Sequence, residues 1–264
     1  MLGLFGTLSL ANRSLQTQRN GTEVAGHNLA NVNTTGFKKS RAVFEDLLYQ
    51  NVRQVGGQTS QNTTLPSGLM LGTGVRVVAT EKMHTQGNVI NTDNALDVAI
   101  NGRGFFQIQL PDGTTAYTRD GSFQINDQGQ IVTSEGYPLL PNLTVPNGAQ
   151  SLTVGSDGVV SVTLAGQIAP QQIGNVQIAD FLNPAGLQPI GENLFLESGA
   201  SGAAQLGDPR TNGLGALQQH MLESSNVNVA EELVSMIETQ RAYEVNSKAI
   251  QTTDQMLQYL NQNV

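Results

Sequence analysis

The chain has 264 residues, enough for one large domain or two modest ones, and its composition excludes several classes of protein. Its 13 Lys and Arg stand against 21 Asp and Glu, a net charge of -8, whereas binding to nucleic acid requires clustered cations. Without cysteine, the chain can form neither disulfides nor thiolate metal sites. No apolar run approaches the roughly 20 residues of a transmembrane helix, so we expect no membrane insertion.

The first part of the chain has the spacing of a coiled-coil helix. Apolar residues recur at alternating steps of four and three, and two polar residues interrupt them. This N-terminal seam consists of Leu4, Leu8, Ala11, Leu15, Gln18, Thr22, Ala25 and Leu29. The tract 31–36 is rich in Asn and ends in Gly, which predicts the end of the helix. Residues 1–11 lack a basic segment, so we interpret them as mature helix rather than a signal peptide.

The segment 37–80 is interpreted as an extended linker between the first helix and the next domain. Within it, Val43, Phe44, Leu47 and Leu48 share one side of a possible helix, so we predict a short helix over 41–50.

The centre of the chain, residues 81–225, consists of short β-prone runs separated by turn residues. Runs at 105–110, 130–133 and 159–163 are typical of strands. The hairpin turn signals are Asp112-Gly113, Asp120-Gly121, Asn126 to Gly129, and Asp157-Gly158. We predict a mainly antiparallel β-domain.

The C-terminal segment repeats the pattern of the N-terminal seam without any Gly or Pro from Val229 onwards. Asn228 is a good N-cap, and Glu231 can complete a capping box. The C-terminal seam consists of Val229, Leu233, Met236, Gln240, Tyr243, Ser247, Ile250, Asp254 and Leu257. The predicted fold class is α+β, with paired coiled-coil-like terminal helices, 1–36 with 226–264, around the β-domain. We expect both seams to bind copies of the same chain. The polar seam positions either fix the register of that pairing or face solvent.

No catalytic or metal-binding pattern emerges. The histidines His27, His84 and His220 lack the spacing of zinc ligands. The adjacent carboxylates Glu45-Asp46 and Glu231-Glu232 diverge by about 100° on a helix, so neither pair suits acid–base catalysis. We expect no enzymatic activity, no cofactor and no metal. We interpret the polar central residues as turn and contact residues: Asp97, Asn101, Arg103, Arg119 and Asp120.

Four long motifs in series resemble those of flagellar rod and hook proteins. AGHNLANVNTTGFK at 25–38 is similar to the N-terminal signature of that family. DVAINGRGFF at 97–106 and YTRDGSF at 117–123 are similar to its central motifs. SNVNVAEELV at 225–234, with QRAYE at 240–244, is similar to its C-terminal motif. The residues that carry the resemblance are Asn28, Leu29, Ala30, Asn31, Gly36, Phe37, Asp97, Gly102, Gly104, Phe105, Phe106, Arg119, Asp120, Gly121, Asn226, Asn228, Glu231, Arg241 and Tyr243.

The particular resemblance is to the distal-rod branch of the family, through RAVFEDLLYQ at 41–50 and TTLPSGL at 63–69. The stretch Tyr49 to Pro66 looks like an insert of that branch. The resemblance implies a rigid, hollow helical homopolymer of the basal body that crosses the periplasm, transmits torque and passes exported subunits. It also implies proximal rod proteins, the hook protein, surrounding ring proteins and the export apparatus as partners, and export without a cleaved signal peptide.

One departure from the family pattern is Gly26-His27, where Ala-Asn is usual. Glycine costs a helix interior up to about 1 kcal/mol relative to alanine, so we expect fraying or bending there.

Other functions compete with the distal-rod interpretation. A proximal rod or hook subunit would share the same motifs. An extracellular β-rich adhesin or glycan-binding module would account for the abundance of Gly, Asn and Thr, but not for two terminal seams. A cell-wall hydrolase would need separated carboxylates in a cleft, and the sequence places none.

Overall fold

The computed structural model describes residues 2–53, 58–60, 63–64, 67–167 and 169–262. These residues form two compact units. The helical unit consists of the described residues within 1–29, 40–81 and 228–264, and the β-rich unit of those within 30–39 and 82–227. The predicted domain boundaries stay predictions.

The helical unit is built on two long helices, α1 (Leu2–Ala30) and α2 (Val229–Gln262). Helix α1 ends where the Asn-rich tract begins, as predicted. It continues through Gly26 to Ala30, so the expected fraying at Gly26 is wrong. No helix in the described part of the chain is both long and apolar enough to cross a bilayer.

Asn228 caps the first turn of α2, as predicted. Its side-chain oxygen accepts a hydrogen bond of 3.1 Å from the backbone N–H of Ala230, which has no partner within the helix. Its carbonyl oxygen accepts the first helical hydrogen bond, 3.0 Å from the N–H of Glu232.

We predict that Asn228→Ala lowers the free energy of unfolding of the helical unit by about 1 kcal/mol, because the N–H of Ala230 loses its acceptor. Urea denaturation followed by the helical circular dichroism signal measures this. Asn228→Ser keeps an acceptor and is expected to retain most of the stability. Equal stability of Asn228→Ala and the parent chain would contradict the capping role.

The helical unit also contains six short strands. They are β1 (Ser40–Asp46), β2 (Gln50–Arg53), β3 (Gln58–Ser60), β4 (Thr63–Thr64), β5 (Leu69–Leu71) and β6 (Val75–Lys82, whose last residue belongs to the β-rich unit). Strand β1 pairs with β6, β2 with β5, and β3 with β4. The predicted helix over 41–50 is therefore wrong. Its apolar residues Val43 and Phe44 favour a strand once a pairing partner is available, and β6 supplies that partner from more than 30 residues away.

The β-rich unit contains the remaining strands. They are β7 (Val89–Asn91), β8 (Val98–Asn101), β9 (Phe105–Gln109), β10 (Thr115–Thr118), β11 (Gln124–Ile125), β12 (Ile131–Val132), β13 (Leu139–Leu140), β14 (Ala149–Val154), β15 (Val159–Leu164), β16 (Gln171–Asn175), β17 (Ile178–Asp180), β18 (Gln188–Gly191), β19 (Leu194–Leu196), β20 (Gln205–Gly207), β21 (Ala216–Gln219) and β22 (Met221–Glu223).

The main sheet of this unit has the order β18–β19–β10–β9–β17–β20, with β13 also on β9, and all its pairings are antiparallel. A second sheet has the order β14–β15–β16. Strand β8 pairs with β21, and β7 with β22. The predicted α+β class with a mainly antiparallel β-region is confirmed, whereas the coiled-coil character of the helices stays a prediction.

Strand β9 is buried on both faces because consecutive strand residues point in opposite directions. Phe106 and Ile108 enter the larger core, which also holds Val160 and Ile178. Phe105 enters a smaller core on the other side. That smaller core is aromatic and includes Tyr117, Phe181 and Phe195.

Three of the four predicted turns join neighbouring strands. Asp112-Gly113 lies between β9 and β10, Asn126 to Gly129 between β11 and β12, and Asp157-Gly158 between β14 and β15. The fourth, Asp120-Gly121, is wrong as a hairpin. The carbonyl oxygen of Gly121 instead accepts a hydrogen bond of 3.1 Å from Val98 at the start of β8.

Candidate assembly surface and buried charge cluster

The two terminal helices run antiparallel within the helical unit. Three contacts mark the pairing, and each lies seven residues further along α1 and seven residues back along α2. They are the hydrogen bonds Asn246–Ser14 at 2.8 Å and Asn28–Glu232 at 3.3 Å, and the close approach of Thr239 to Gly21. The helices are therefore paired.

The described residues of the N-terminal seam lie on the inner side of α1. Ala25 is buried, and the other described members, Ala11, Leu15, Gln18, Thr22 and Leu29, are half-buried. The hydroxyl of Thr22 donates to the carbonyl oxygen of Gln18 at 3.0 Å, so it is satisfied by its own helix. The side chains of Leu4 and Leu8 lie outside the part of the chain that the structure describes.

The C-terminal seam is only partly turned towards α1. The α2 residues that contact α1 lie one position before seam residues, and neighbouring helical residues are about 100° apart. Met236, Ser247 and Ile250 are half-buried, whereas Val229, Leu233, Gln240, Tyr243 and Asp254 are exposed. The side chain of Leu257 lies outside the described residues.

Several exposed seam residues belong to a broader set of apolar side chains on α2, which we call the α2 apolar surface. These side chains are between 42% and 70% exposed. They are Val229, Leu233, Val234, Ile237, Tyr243, Val245, Met256 and Tyr259. A contiguous apolar surface of this kind is typical of an interaction site.

Three charged side chains from distant parts of the chain meet inside the β-rich unit. Lys38 Nζ donates to Glu223 Oε1 at 2.5 Å and to the carbonyl oxygen of Thr85 at 2.8 Å. Arg119 donates to Glu223 Oε2 at 3.3 Å and to the carbonyl oxygen of Gly102 at 2.7 Å. The side chains of Lys38 and Glu223 are fully buried, and that of Arg119 is 5% exposed.

Both cations of this charge cluster depend on one carboxylate. Burial lowers the pKa of Lys38 and that of Arg119, and the negative charge of Glu223 opposes both shifts. Glu223 also accepts a hydrogen bond of 2.8 Å from the backbone N–H of Gly87. The cluster therefore joins segments near 38, 87, 119 and 223 through one buried group.

His84 lies beside the charge cluster. Its ring packs edge-on against Phe105 and Phe195, with ring centroids 5.4 and 5.2 Å apart. Both ring nitrogens are buried, with no hydrogen-bond partner among the described residues. Burial, reinforced by the charges of Lys38 and Arg119, lowers the pKa of His84 to about 4. The imidazole is therefore neutral at pH 7.

Two motif glycines are required by close backbone approaches. Gly36 has φ 66°, and a Cβ there would lie 2.6 Å from the backbone nitrogen of Asp120. Gly102 has φ 117°, and a Cβ there would lie 2.8 Å from the Cα of Gly215. Larger residues at either position would meet backbone and an unfavourable φ.

The other polar motif residues make local contacts within their own units. Asp97 accepts a hydrogen bond of 2.9 Å from Asn94, and Asp120 accepts two from Ser122. Arg103, beside the motif glycines, forms an ion pair of 2.9 Å with Asp180. In the helical unit, Glu231, Arg241 and Tyr243 are exposed.

Sequence reasoning did not identify Glu223, Glu232 or His84 as important, because none lies in a recognisable pattern. In the described part of the chain, no group of three or more His, Asp or Glu side chains is placed to hold a metal ion.

Comparisons with known proteins agree with this arrangement. Residues 8–38 match the model of the flagella basal body rod protein, and residues 99–162 match that of the flagellar hook protein FlgE/F/G D1 domain. Residues 218–263 match the flagellar basal body rod FlgEFG protein C-terminal model.

Relatives match over almost the whole chain. A flagellar basal-body rod protein FlgG of Buchnera aphidicola subsp. Schizaphis graminum is 56% identical over 97% of this chain and 98% of its own length. The chain belongs to the flagellar basal-body rod family. A FlgG of Caulobacter vibrioides is 48% identical over 97% of this chain and 98% of its own length, and one of Bacillus subtilis 40% identical over 90% and 91%. The matched names in this rod family describe rod and hook proteins, and none describes an enzyme.

Proposed function

We propose that this chain is a structural subunit of the flagellar distal rod. Copies of it assemble into a rigid hollow tube that transmits torque from the motor to the hook and lets exported subunits pass through. The α2 apolar surface carries the proposal, since a rod protein with so many exposed apolar residues on a terminal helix has a surface suited to neighbouring copies.

The helices are the proposed assembly elements. Residues 1–36 and 226–264 form the axial domain of the subunit, with both predicted seams in helix contacts between copies. The α2 apolar surface contributes contacts that one chain alone leaves unmade. Heterologous, non-closing contacts between identical copies generate helical tubes, which is the symmetry that a rod requires.

The remaining assignments follow from the family and its motifs. Residues 37–80 carry the rod-specific insert, of which 54–57, 61–62 and 65–66 lie outside the described residues, and residues 81–225 form the central β-domain. The proposed location is the basal body in the periplasm, reached by flagellar export without cleavage of a signal peptide. The proposed partners besides copies of the chain are proximal rod proteins, the hook protein, ring proteins and the export apparatus.

Assembly of the purified full-length chain tests this function. We expect concentrated protein to form straight tubes with a central hole in electron micrographs. Leu233→Lys places a charge within the α2 apolar surface, and we expect it to raise the protein concentration needed for tubes at least tenfold.

The matched control is Leu182→Lys in the β-rich unit, where the leucine is 87% exposed. We expect this variant to form tubes like the parent chain. A parent chain that stays monomeric at high concentration, or a Leu233→Lys variant that assembles as readily as the control, would count against the proposal.

A further inference from the structure

The chain passes from one unit to the other four times, after residues 29, 39, 81 and 227. Each passage leaves segment ends within a unit, and a segment under tension detaches first at its end, where hydrogen bonds break one at a time. A side chain that ties several segment ends together makes those bonds share the load. Two motif asparagines, Asn226 and Asn28, occupy such places.

Asn226 ties three segment ends within the β-rich unit. Its Oδ1 accepts a hydrogen bond of 2.7 Å from the backbone N–H of Lys39, the last residue before one passage. Its Nδ2 donates to the carbonyl oxygen of Met83 at 2.8 Å and to the hydroxyl of Thr85 at 2.9 Å, just after another passage. Asn226 itself lies one residue before Val227, where the chain leaves the unit for the last time.

Asn28 does the same within the helical unit. Its Oδ1 accepts from the N–H of Ser40, and its Nδ2 donates to the carbonyl oxygen of the same residue, both at 2.8 Å. The Nδ2 also donates to Glu232 in the first turn of α2 at 3.3 Å. Asn28 is 1% exposed and Glu232 is 8% exposed. The end of α1, the start of β1 and the start of α2 are thereby joined.

The amide group explains why asparagine suits both places. One side chain offers two N–H donors and one oxygen acceptor from the same planar group, so it can bind an N–H of one segment and carbonyl oxygens of others. A carboxylate would offer only acceptors and would face the carbonyl oxygen of Met83 or the carboxylate of Glu232. Buried polar groups that lose their partners are strongly unfavourable.

We propose that Asn28 and Asn226 are positioning residues that fasten the segment ends of their own units, so that the rod subunit keeps its shape while torque passes through it. The role in torque rests on the proposed rod function. The fastening itself is a property of the single chain.

Amide hydrogen exchange on the purified full-length chain tests the fastening. Asn226→Asp preserves the size of the side chain but removes its donors. We expect the N–H of Lys39 and the amides of 82–86 to exchange at least tenfold faster, with exchange in β9 unchanged within twofold. We expect Asn28→Asp to accelerate exchange at the N–H of Ser40 in the same way. Asn147→Asp, at an exposed turn position, makes the same chemical change and is expected to leave both regions unaltered.

Either of two results overturns the fastening role. One is parent-like exchange at the tested amides of the variant. The other is an equal acceleration in β9, which would make the asparagine a general stability residue. This measurement needs no rod, so it is informative even if the tube-assembly test fails.

The role in torque is tested in cells that produce rods from the variant chain. We expect Asn226→Asp to leave the number of rods per cell unchanged but to reduce motor rotation at high viscous load at least twofold, with rotation at low load preserved. A load dependence identical to that of the parent chain would overturn the role in torque while leaving the assembly proposal intact.

Discussion

Glu223→Gln is expected to lower the free energy of unfolding of the β-rich unit by about 3–5 kcal/mol, because it leaves two buried cations without their shared counter-charge. Lys38 and Arg119 both bind Glu223 and are almost fully buried, so neither can be rehydrated in the folded state. Glutamine keeps the shape of the side chain, so the loss isolates the charge. Urea denaturation followed by the fluorescence of the tyrosines, Tyr117 among them, measures the change.

The control for this variant is Glu135→Gln, which removes the same charge from an exposed position of the same unit. Surface substitutions away from special features usually change stability by less than about 0.5 kcal/mol, and we expect that here. If the two variants lost the same stability, the charge cluster would be an incidental arrangement. If only Glu223→Gln were strongly destabilised, the cluster would be a principal element holding the unit together.

The terminal helices could be predicted from sequence because their signals are local. The apolar spacing, the Asn-rich tract after α1 and the cap at Asn228 all lie within a few residues of the structures they specify. The register between the helices could not be predicted. The helices meet along a row one position away from the apolar seam of α2, and a contact such as Asn246–Ser14 spans 232 residues of sequence.

Strand β1 shows how a non-local partner overrides a local pattern. Four apolar residues between 41 and 50 fit a helical face, yet Ser40–Asp46 becomes a strand because β6 offers a hydrogen-bonding edge. Local sequence carries little information about that edge, since β-propensity depends on packing against neighbours.

The charge cluster is the part of the molecule that sequence reasoning could not reach. Lys38 and Glu223 are 185 residues apart, and in the sequence each resembles an ordinary surface charge. The sequence did place Lys38 and Arg119 inside long motifs, which suggested a role without indicating a partner. Only the fold shows that one carboxylate serves both cations.

The stability of the β-rich unit is expected to fall between pH 6.5 and pH 4 through His84. Burial and the charges of Lys38, Arg119 and Lys82 lower the pKa of His84 to about 4, against about 6.5 in the unfolded chain. In that interval the unfolded chain binds a proton at His84 and the folded chain does not. The contribution is therefore complete above pH 6.5 and is lost as the pH falls to 4, amounting to about 3 kcal/mol.

Comparing variants isolates His84 from carboxylates, Glu223 among them, that also titrate in acid. His84→Phe fills the aromatic pocket with a ring that binds no proton, so its free energy of unfolding should fall less than that of the parent chain between pH 6.5 and pH 4. The control, His27→Gln, changes an exposed histidine of α1 and is expected to keep the pH dependence of the parent. Urea denaturation at closely spaced pH values measures all three chains. Identical slopes for His84→Phe and the parent would mean that the buried imidazole acquires its proton without cost, against its apolar contacts and neighbouring cations.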